Sequence, residues 1–229
     1  MVTLAILETG LPPRRLIPEF GRYPDMFARL LGQDIIAASY DVTGGEYPER
    51  PEDHPAYLIT GSPAGVYDDL PWIGPLKRFL GSAKGRAKLV GICFGHQIMA
   101  EAFGGRAVKS GRGWGVGLQD YRILVREPWM DGADHVAVPV SHQDQVVEQP
   151  PATRLIAGNA FCPIGGLAYE DQPAISFQFH PEFDPAFAAA LIDLVADRLD
   201  DPAAARASLE RPNDCARVGG WIRSFVEGA

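Results

Sequence analysis

The chain has 229 residues, of which 46% are hydrophobic, and it carries a formal net charge of −8 at pH 7. This length and apolar content suit one α/β domain with a sizeable core, so we expect a single domain over residues 1–229. The negative charge argues against nucleic acid as a partner. Residues 1–20 lack the layout of a signal peptide, and no apolar run reaches the length of a membrane span. A cytoplasmic protein that does not bind membranes is therefore expected.

The sequence contains no pattern typical of a cofactor or metal site. There is no phosphate-binding loop and no nucleotide-binding fingerprint. His54, His135 and Cys162 lack the spacing of metal ligands. The three cysteines, Cys93, Cys162 and Cys215, form no plausible disulfide framework. We therefore expect no cofactor, no metal and no disulfide.

The first half of the chain alternates between apolar runs and helix-forming segments. This alternation predicts βαβ units and a doubly wound, mostly parallel open sheet flanked by helices. The expected strands are residues 3–7, 35–40, 57–60 and 89–92, and the expected helices are residues 25–31, 72–82 and 97–103.

The second half contains short apolar runs that are separated by turn residues. Because no helix-length segment lies between most of them, they predict a small antiparallel β addition. These runs are residues 121–125, 136–140, 155–157 and 164–169. Residues 174–179 are expected to form another strand, which leads to residues 180–182. An amphipathic helix is expected at residues 187–199, and one or two surface helices are expected after residue 202.

The most distinctive pattern lies around Cys93, between the strand at residues 89–92 and the helix at residues 97–103. Glycines stand two positions before and after this cysteine, at Gly91 and Gly95, which is the nucleophile-elbow pattern with Cys in place of Ser. A helix N-terminus beyond the elbow favours a thiolate. The alternative interpretation is a buried structural cysteine beside a glycine-rich turn.

His180 is the leading candidate for a general base. It ends another apolar strand and is followed two residues later by Glu182, whose carboxylate could fix the imidazole tautomer and stabilise the imidazolium. The alternative is a histidine that satisfies backbone groups at a strand end. The other four histidines, His54, His96, His135 and His142, compete for the same role. Cys93, His180 and Glu182 thus form the leading candidate triad.

Together, residues 91–97 (Gly-Ile-Cys-Phe-Gly-His-Gln) and residues 180–182 (His-Pro-Glu) resemble the class I, triad-type glutamine amidotransferases. Residues 59–63 resemble the loop that supplies one oxyanion-hole donor in that family. Residues 141–144 resemble the substrate-contact segment of the GMP-synthetase type. The similarity runs in the family's order from about Leu4 to Phe183. It implies a flavodoxin-like class I amidotransferase fold.

The resemblance also implies a role for each matching residue. Cys93 would attack the side-chain amide of glutamine and form a γ-glutamyl thioester, with His180 acting first as base and then as acid. The backbone N–H groups of Gly61 and Phe94 would form the oxyanion hole. The substrate would be contacted by Gln97, Ser141, His142, Gln143 and Asp144.

Three further expectations concern the surroundings of this site. Residues 141–144 are expected across the cleft from Gln97, with Cys93 at the base between them; the alternative is an ordinary turn. His96 belongs to the motif but is expected to be structural. Trp114 lies in a region that often borders the pocket in this family, although a place in the core or on the surface is an equal alternative.

The sequence leaves three functions open. The first is hydrolysis of glutamine to glutamate and ammonia, with a separate synthetase subunit as a conceivable partner because the chain carries no synthetase domain. The second is a γ-glutamyl peptidase that acts on glutathione-like compounds through the same triad. The third is a catalytically idle regulatory or binding module, which the intact Cys93, His180 and Glu182 argue against.

Overall fold

The computed structural model describes residues 2–228 and places eleven β-strands and seven α-helices in that range. The strands are β1 (Leu4–Glu8), β2 (Ile36–Asp41), β3 (Ala56–Ile59), β4 (Lys88–Ile92), β5 (Arg106–Lys109), β6 (Gly115–Ile123), β7 (His135–His142), β8 (Asp144–Glu148), β9 (Thr153–Gly158), β10 (Gly166–Tyr169) and β11 (Ala174–Phe177). The helices are α1 (Ile17–Phe20), α2 (Tyr23–Leu31), α3 (Ile73–Ala83), α4 (Phe94–Ala102), α5 (Pro185–Val195), α6 (Pro202–Ser208) and α7 (Cys215–Glu227).

Nine of the strands form one mixed sheet in the order β2-β1-β3-β4-β11-β10-β9-β6-β7. Neighbouring strands from β2 to β11 are parallel, and the remaining pairs are antiparallel. Strands β5 and β8 form a separate antiparallel pair. The expected open sheet with helices on its faces and a small antiparallel addition is confirmed. The antiparallel strands β10, β9, β6 and β7 extend the main sheet itself.

The parallel part of the sheet is the middle layer of three. Side chains alternate across a strand, so Leu4 and Ile6 of β1 face α2 and α7, whereas Ala5 and Leu7 face α3 and α4. Every residue of β1, β3 and β11 is buried. Because helices cover both faces of this part of the sheet, its strands are nearly continuous apolar runs. Among residues 2–228, no helix combines the length and the apolar character that a membrane crossing requires.

The expectation that the C-terminal region adds only surface helices is wrong for α7. Val218, Ile222 and Val226 of this helix are fully buried against the sheet and α2, and Trp221 is 3% exposed. These positions lie on one face of a helix, at the spacing of an amphipathic segment. The adjacent Gly219 and Gly220 lower helix propensity and obscure this pattern in the sequence.

Several short elements were not expected or begin elsewhere. Strand β6 starts at Gly115, six residues before the predicted run at residues 121–125. Strands β5 and β8 were not predicted, since both are short and carry exposed polar residues at their ends. Helix α5 ends at Val195, and residues 196–198 continue it as a 3₁₀ turn. These strands form because they pair with strands that are distant in the sequence. No local pattern indicates such pairing.

Helix α4 approaches the end of β3 very closely. The Gly95 N–H donates to the Thr60 carbonyl at 3.1 Å. A Cβ atom on Gly95 would lie 2.2 Å from the carbonyl oxygen of Ile59, well inside contact distance. Glycine is therefore required at this position for the helix to start where it does.

We expect Gly95→Ala to destabilise the fold by roughly 1–3 kcal/mol, because α4 must move away from β3 to make room for a methyl group. The free energy of unfolding measured by urea titration checks this. Gly81→Ala is the matched control: Gly81 lies exposed within α3, and a Cβ atom added there would have no neighbouring atom within 4 Å. The control should gain roughly 0.5–1 kcal/mol of stability. Equal effects of the two substitutions would contradict this account of α4.

Candidate active site

Cys93 lies between the end of β4 and the start of α4 in a backbone conformation that residues other than glycine rarely adopt. Its φ is 52° and its ψ is −101°. Such a conformation costs about 1–3 kcal/mol and persists only where the surrounding structure holds it. Here the Cys93 N–H donates to the Phe177 carbonyl of β11 at 2.8 Å. The result is a sharp turn that directs the thiol into a cavity of about 570 Å³ at the carboxyl ends of the parallel strands.

His180 and Glu182 follow the end of β11, and His180 lines the same cavity. The His180 Nδ1–H donates to Glu182 Oε1 at 2.8 Å, so the tautomer leaves Nε2 as the second functional nitrogen. The His180 backbone N–H donates to the Pro139 carbonyl at 2.9 Å. The ring of Phe183 stacks on the imidazole with a centroid separation of 3.9 Å and an angle of 6°. These contacts hold the imidazole in one orientation.

The surroundings of His180 favour its charged form. Burial lowers the pKa of His180, but the neighbouring Cys93 sulfur and Glu182 carboxylate outweigh burial and raise the pKa to about 10. At neutral pH the imidazole is therefore protonated beside the Cys93 sulfur. Stacking on the face of Phe183 favours the cation further. A thiolate paired with an imidazolium is the reactive form of a cysteine nucleophile.

Two backbone N–H groups near Cys93 make no hydrogen bond within residues 2–228. One belongs to Phe94, the first residue of α4, which has no intrahelical acceptor for its N–H. The other belongs to Gly61, just after β3. The Gly61 carbonyl accepts from the hydroxyl groups of Thr9 and Thr60 at 3.0 Å, which fixes the orientation of this peptide segment.

The backbone at Gly61 also passes very close to the imidazole. A Cβ atom there would lie 2.9 Å from His180 Cε1 and 3.8 Å from Cys93 Cβ. Any larger residue would push the base away from the thiol. Cys93, His180, Glu182, Gly61 and Phe94 thus lie near one another at the ends of β3, β4 and β11, and Glu182 is hydrogen-bonded to His180. Their catalytic roles stay a prediction.

Gln97 lies beside residues 141–144, so the expectation that they face each other across the cleft is wrong. Gln97 Nε2 donates to the Asp144 carbonyl at 3.0 Å and to Gln178 Oε1 at 3.1 Å. The same Asp144 carbonyl accepts from His142 Nδ1–H at 3.0 Å. The short strand β8, which begins at Asp144, brings this segment against α4. Gln97 and this segment therefore form one polar wall of the cavity.

His142 is a neutral, buried residue of this wall. Burial lowers the pKa of His142 to about 4, so its ring is neutral at physiological pH. Since Nδ1 carries the proton, Nε2 is an acceptor; this buried atom has no partner among residues 2–228. Buried polar atoms are normally hydrogen-bonded. His142 lines the cavity, whereas its Nε2 atom has almost no exposed surface.

Asp144 is held by a residue that the sequence did not indicate. The Tyr67 hydroxyl donates to Asp144 Oδ2 at 2.8 Å. Burial and this hydrogen bond raise the pKa of Tyr67 to about 12, so Tyr67 remains a donor. Ser141 and Gln143 also line the polar wall, as do Ser62, Asp68 and Lys109.

His96 and Trp114 occupy different environments. His96 is fully buried, where its Nε2–H donates to the Ile164 carbonyl at 3.1 Å and its Nδ1 accepts from the Ser176 hydroxyl at 2.8 Å. Burial lowers the pKa of His96 to about 3. This is the structural role expected for His96. Trp114 is half-buried and lines the cavity.

Several lining residues were missing from the sequence-based site. Phe183 directly follows the His-Pro-Glu segment. An aromatic residue next to the candidate base is the feature of the sequence that could have identified it. Tyr67 lies 77 positions from its partner Asp144, and no local pattern connects them. Further missed lining residues, mostly apolar, include Leu11, Pro13, Tyr23, Leu191, Leu194, Val195 and Arg198.

Curated proteins similar to this chain include amidotransferase-like and peptidase relatives. A glutamine amidotransferase-like protein of Schizosaccharomyces pombe is 30% identical over 197 residues, which cover 79% of each chain. Gamma-glutamyl peptidase 4 of Arabidopsis thaliana is 28% identical over 77% of this chain and 74% of its own. The glutamine-hydrolysing GMP synthase of Thermus thermophilus is 34% identical over 73% of this chain, which spans only 33% of that protein.

Solved structures show the same fold. A glutamine amidotransferase from Thermotoga maritima aligns with a TM-score of 0.77 and 19% identity, covering 100% of this chain and 98% of its own. A glutamine amidotransferase from Methylobacillus flagellatus aligns with a TM-score of 0.77 and 18% identity. The alignment covers 100% of this chain and 95% of that one. The class-I glutamine amidotransferase family matches residues 32–192, which is more than half of the chain. This protein therefore belongs to the class-I glutamine amidotransferase family.

Proposed function

We propose that this protein hydrolyses γ-glutamyl amides through a γ-glutamyl thioester on Cys93. The observation that carries the proposal is the His180 imidazole, which is hydrogen-bonded to Glu182 and lines the same cavity as Cys93. A cysteine, a histidine and a carboxylate that lie near one another support acyl transfer through a cysteine nucleophile. The intact set argues against an idle binding module.

The reaction runs in two halves. The Cys93 sulfur attacks the γ-carbonyl carbon, and the N–H groups of Gly61 and Phe94 stabilise the oxyanion. The C–N bond then breaks as His180 gives its proton to the departing nitrogen, which leaves the thioester. In the second half, His180 takes a proton from water, the water attacks the thioester, and glutamate is released.

The polar wall is suited to the charged end of a γ-glutamyl group. Its α-ammonium is a donor of three hydrogen bonds, and the wall offers acceptors at Gln97 Oε1 and the Asp144 carboxylate. Lys109, which is exposed and lines the same wall, provides a positive charge for the α-carboxylate. The segment at residues 141–144 therefore has a recognition role in this proposal.

The size of the cavity favours a γ-glutamyl compound larger than glutamine. A volume of about 570 Å³ lies in the range of sites that enclose drug-sized ligands. The similarity to Arabidopsis gamma-glutamyl peptidases points the same way. Delivery of ammonia to a separate synthetase subunit is the second candidate, since the relative from Thermus is a glutamine-hydrolysing GMP synthase.

Incubation of the purified protein with glutamine and, separately, with glutathione tests these candidates, with glutamate, ammonia and cysteinylglycine as the measured products. Release of cysteinylglycine supports the peptidase. Weak release of ammonia alone supports an amidotransferase that lacks its synthetase partner. If neither compound yields glutamate, and other γ-glutamyl amides do not either, the proposed activity is wrong.

Cys93→Ser is expected to keep the fold and to lower turnover by on the order of 10³-fold or more, because a hydroxyl is a far poorer nucleophile with this base. Initial rates of glutamate release and the circular dichroism spectrum check both parts. Cys215→Ser is the control: burial raises the pKa of Cys215 to about 12, and a serine can still donate to the Phe183 carbonyl. A Cys93→Ser enzyme with undiminished turnover would remove Cys93 from the mechanism.

The pH dependence should report His180. Because its pKa is raised to about 10, the acid that protonates the leaving nitrogen is present at neutral pH and is lost as the pH rises through that value. We expect kcat/KM to fall on this alkaline side. Glu182→Gln removes one cause of the raised pKa, so the fall should begin at lower pH, with detectable residual activity. His180→Ala should leave almost none.

Measurements of kcat/KM between pH 6 and pH 11 give these profiles. As a control, the stability of each variant is measured at every pH. An unchanged alkaline limb in Glu182→Gln would mean that Glu182 does not act on His180.

Acetylation of the substrate's α-amino group should lower kcat/KM by about tenfold or more, because buried acceptors on the polar wall then lose their donor. The comparison uses γ-glutamyl anilide and its N-acetylated counterpart. Equal rates for the two compounds would leave residues 141–144 without a recognition role.

A further inference from the structure

The side of the cavity next to His180 differs in chemistry from the polar wall. Phe183 stacks on the His180 ring, and Tyr23 stacks on Phe183 with a centroid separation of 6.3 Å. Leu191 and Leu194 of α5 pack against this aromatic cluster. All four residues line the cavity, and Leu11, Pro13 and Val195 extend the same surface. We call this set of seven residues the apolar wall.

The apolar wall ends at a positive charge. Arg198 lies in the 3₁₀ turn that continues α5, lines the cavity and is exposed. Within residues 2–228 its guanidinium makes no ion pair and no hydrogen bond. Most other arginines near the surface pair with carboxylates, as Arg206 does with Asp193. Arg198 is thus a cation at the mouth of the cavity that is available to an anionic group of a ligand.

The chemistry assigns the two walls to different parts of the substrate. His180 must lie within hydrogen-bond reach of the departing nitrogen to protonate it. Whatever is attached to that nitrogen therefore extends along the surface next to His180, which is the apolar wall. The γ-glutamyl group then lies at the polar wall, where Gln97 and Asp144 provide its polar partners.

We propose that this protein selects γ-glutamyl amides whose amine part has an apolar body and carries a carboxylate, as in the γ-glutamyl derivatives of phenylalanine or leucine. The apolar wall contacts the side chain of the amine part, and Arg198 binds its carboxylate. This inference rests on the proposed function, since it names the substrate class of the same site.

The proposal predicts two separable preferences. Replacing glycine by phenylalanine in the amine part buries an aromatic side chain on the apolar wall, which should raise kcat/KM by about tenfold or more. Replacing the carboxylate of γ-glutamyl-phenylalanine by a carboxamide removes the partner of Arg198, which should lower kcat/KM by about fivefold. Glutamine, which lacks both features, should be the poorest substrate.

The experiment measures kcat/KM of the full chain for γ-glutamyl-phenylalanine, its carboxamide, γ-glutamyl-glycine and glutamine. In Arg198→Gln the ratio between γ-glutamyl-phenylalanine and its carboxamide should fall towards one. Arg122→Gln is the matched control. Arg122 is exposed on β6 and forms no ion pair within the described residues, and it does not line the cavity. The control should keep the wild-type ratio.

Labelling of Cys93 by a glutamine-like diazoketone, 6-diazo-5-oxo-norleucine, separates the function from the selectivity, because this reagent needs the γ-glutamyl site and no amine part. If Cys93 is labelled and glutamine or the carboxamide is hydrolysed as well as γ-glutamyl-phenylalanine, the selectivity is wrong and the proposed function stands. A wild-type ratio in Arg198→Gln overturns the role of Arg198. If no compound is turned over and Cys93 is not labelled, both the function and the selectivity are wrong.

Discussion

The close approach of helix α4 to the ends of β3 and β4 is the constraint on which the site depends. It places the backbone of Cys93 in a left-handed conformation, and it leaves the Phe94 N–H without an intrahelical acceptor. The contact at Gly95 is so close that no side chain fits there. A strained nucleophile and a vacant N–H donor are thus two results of one packing arrangement, which the buried parallel strands make rigid.

The charges around His180 determine its protonation state. A protonated imidazole is costly in a buried position unless its charge is compensated. At His180 the compensation comes from the Cys93 sulfur, the Glu182 carboxylate and the face of the Phe183 ring. His96 and His142 are equally buried but have only carbonyl or hydroxyl partners, and burial lowers the pKa of both. The same side chain is therefore an acid in one place and a neutral hydrogen-bonding group in two others.

The parts of the molecule that could be predicted from the sequence are those whose pattern spans only a few consecutive residues. The elbow around Cys93 and the pair His180 and Glu182 each fall within a few residues, and alternating apolar runs indicate the parallel sheet. What the sequence did not show depends on contacts between distant segments. The bond from Tyr67 to Asp144 and the pairing of β5 with β8 have no local pattern. The predicted position of Gln97 relative to residues 141–144 is wrong because it also depends on a contact between distant segments. Strand β8 brings residues 141–144 to α4.

Helix α5 contributes both to the apolar wall and to the position of the acid. It begins three residues after Glu182, and its Phe187 packs edge-on against Phe183 with a centroid separation of 4.7 Å. Phe183 in turn covers the His180 ring. Helix α5 is thus joined through two aromatic rings to the His180 imidazole. Under the proposed mechanism, a change of side chains along α5 alters substrate preference and the position of the acid together, so a new specificity requires compensation at the phenylalanine pair.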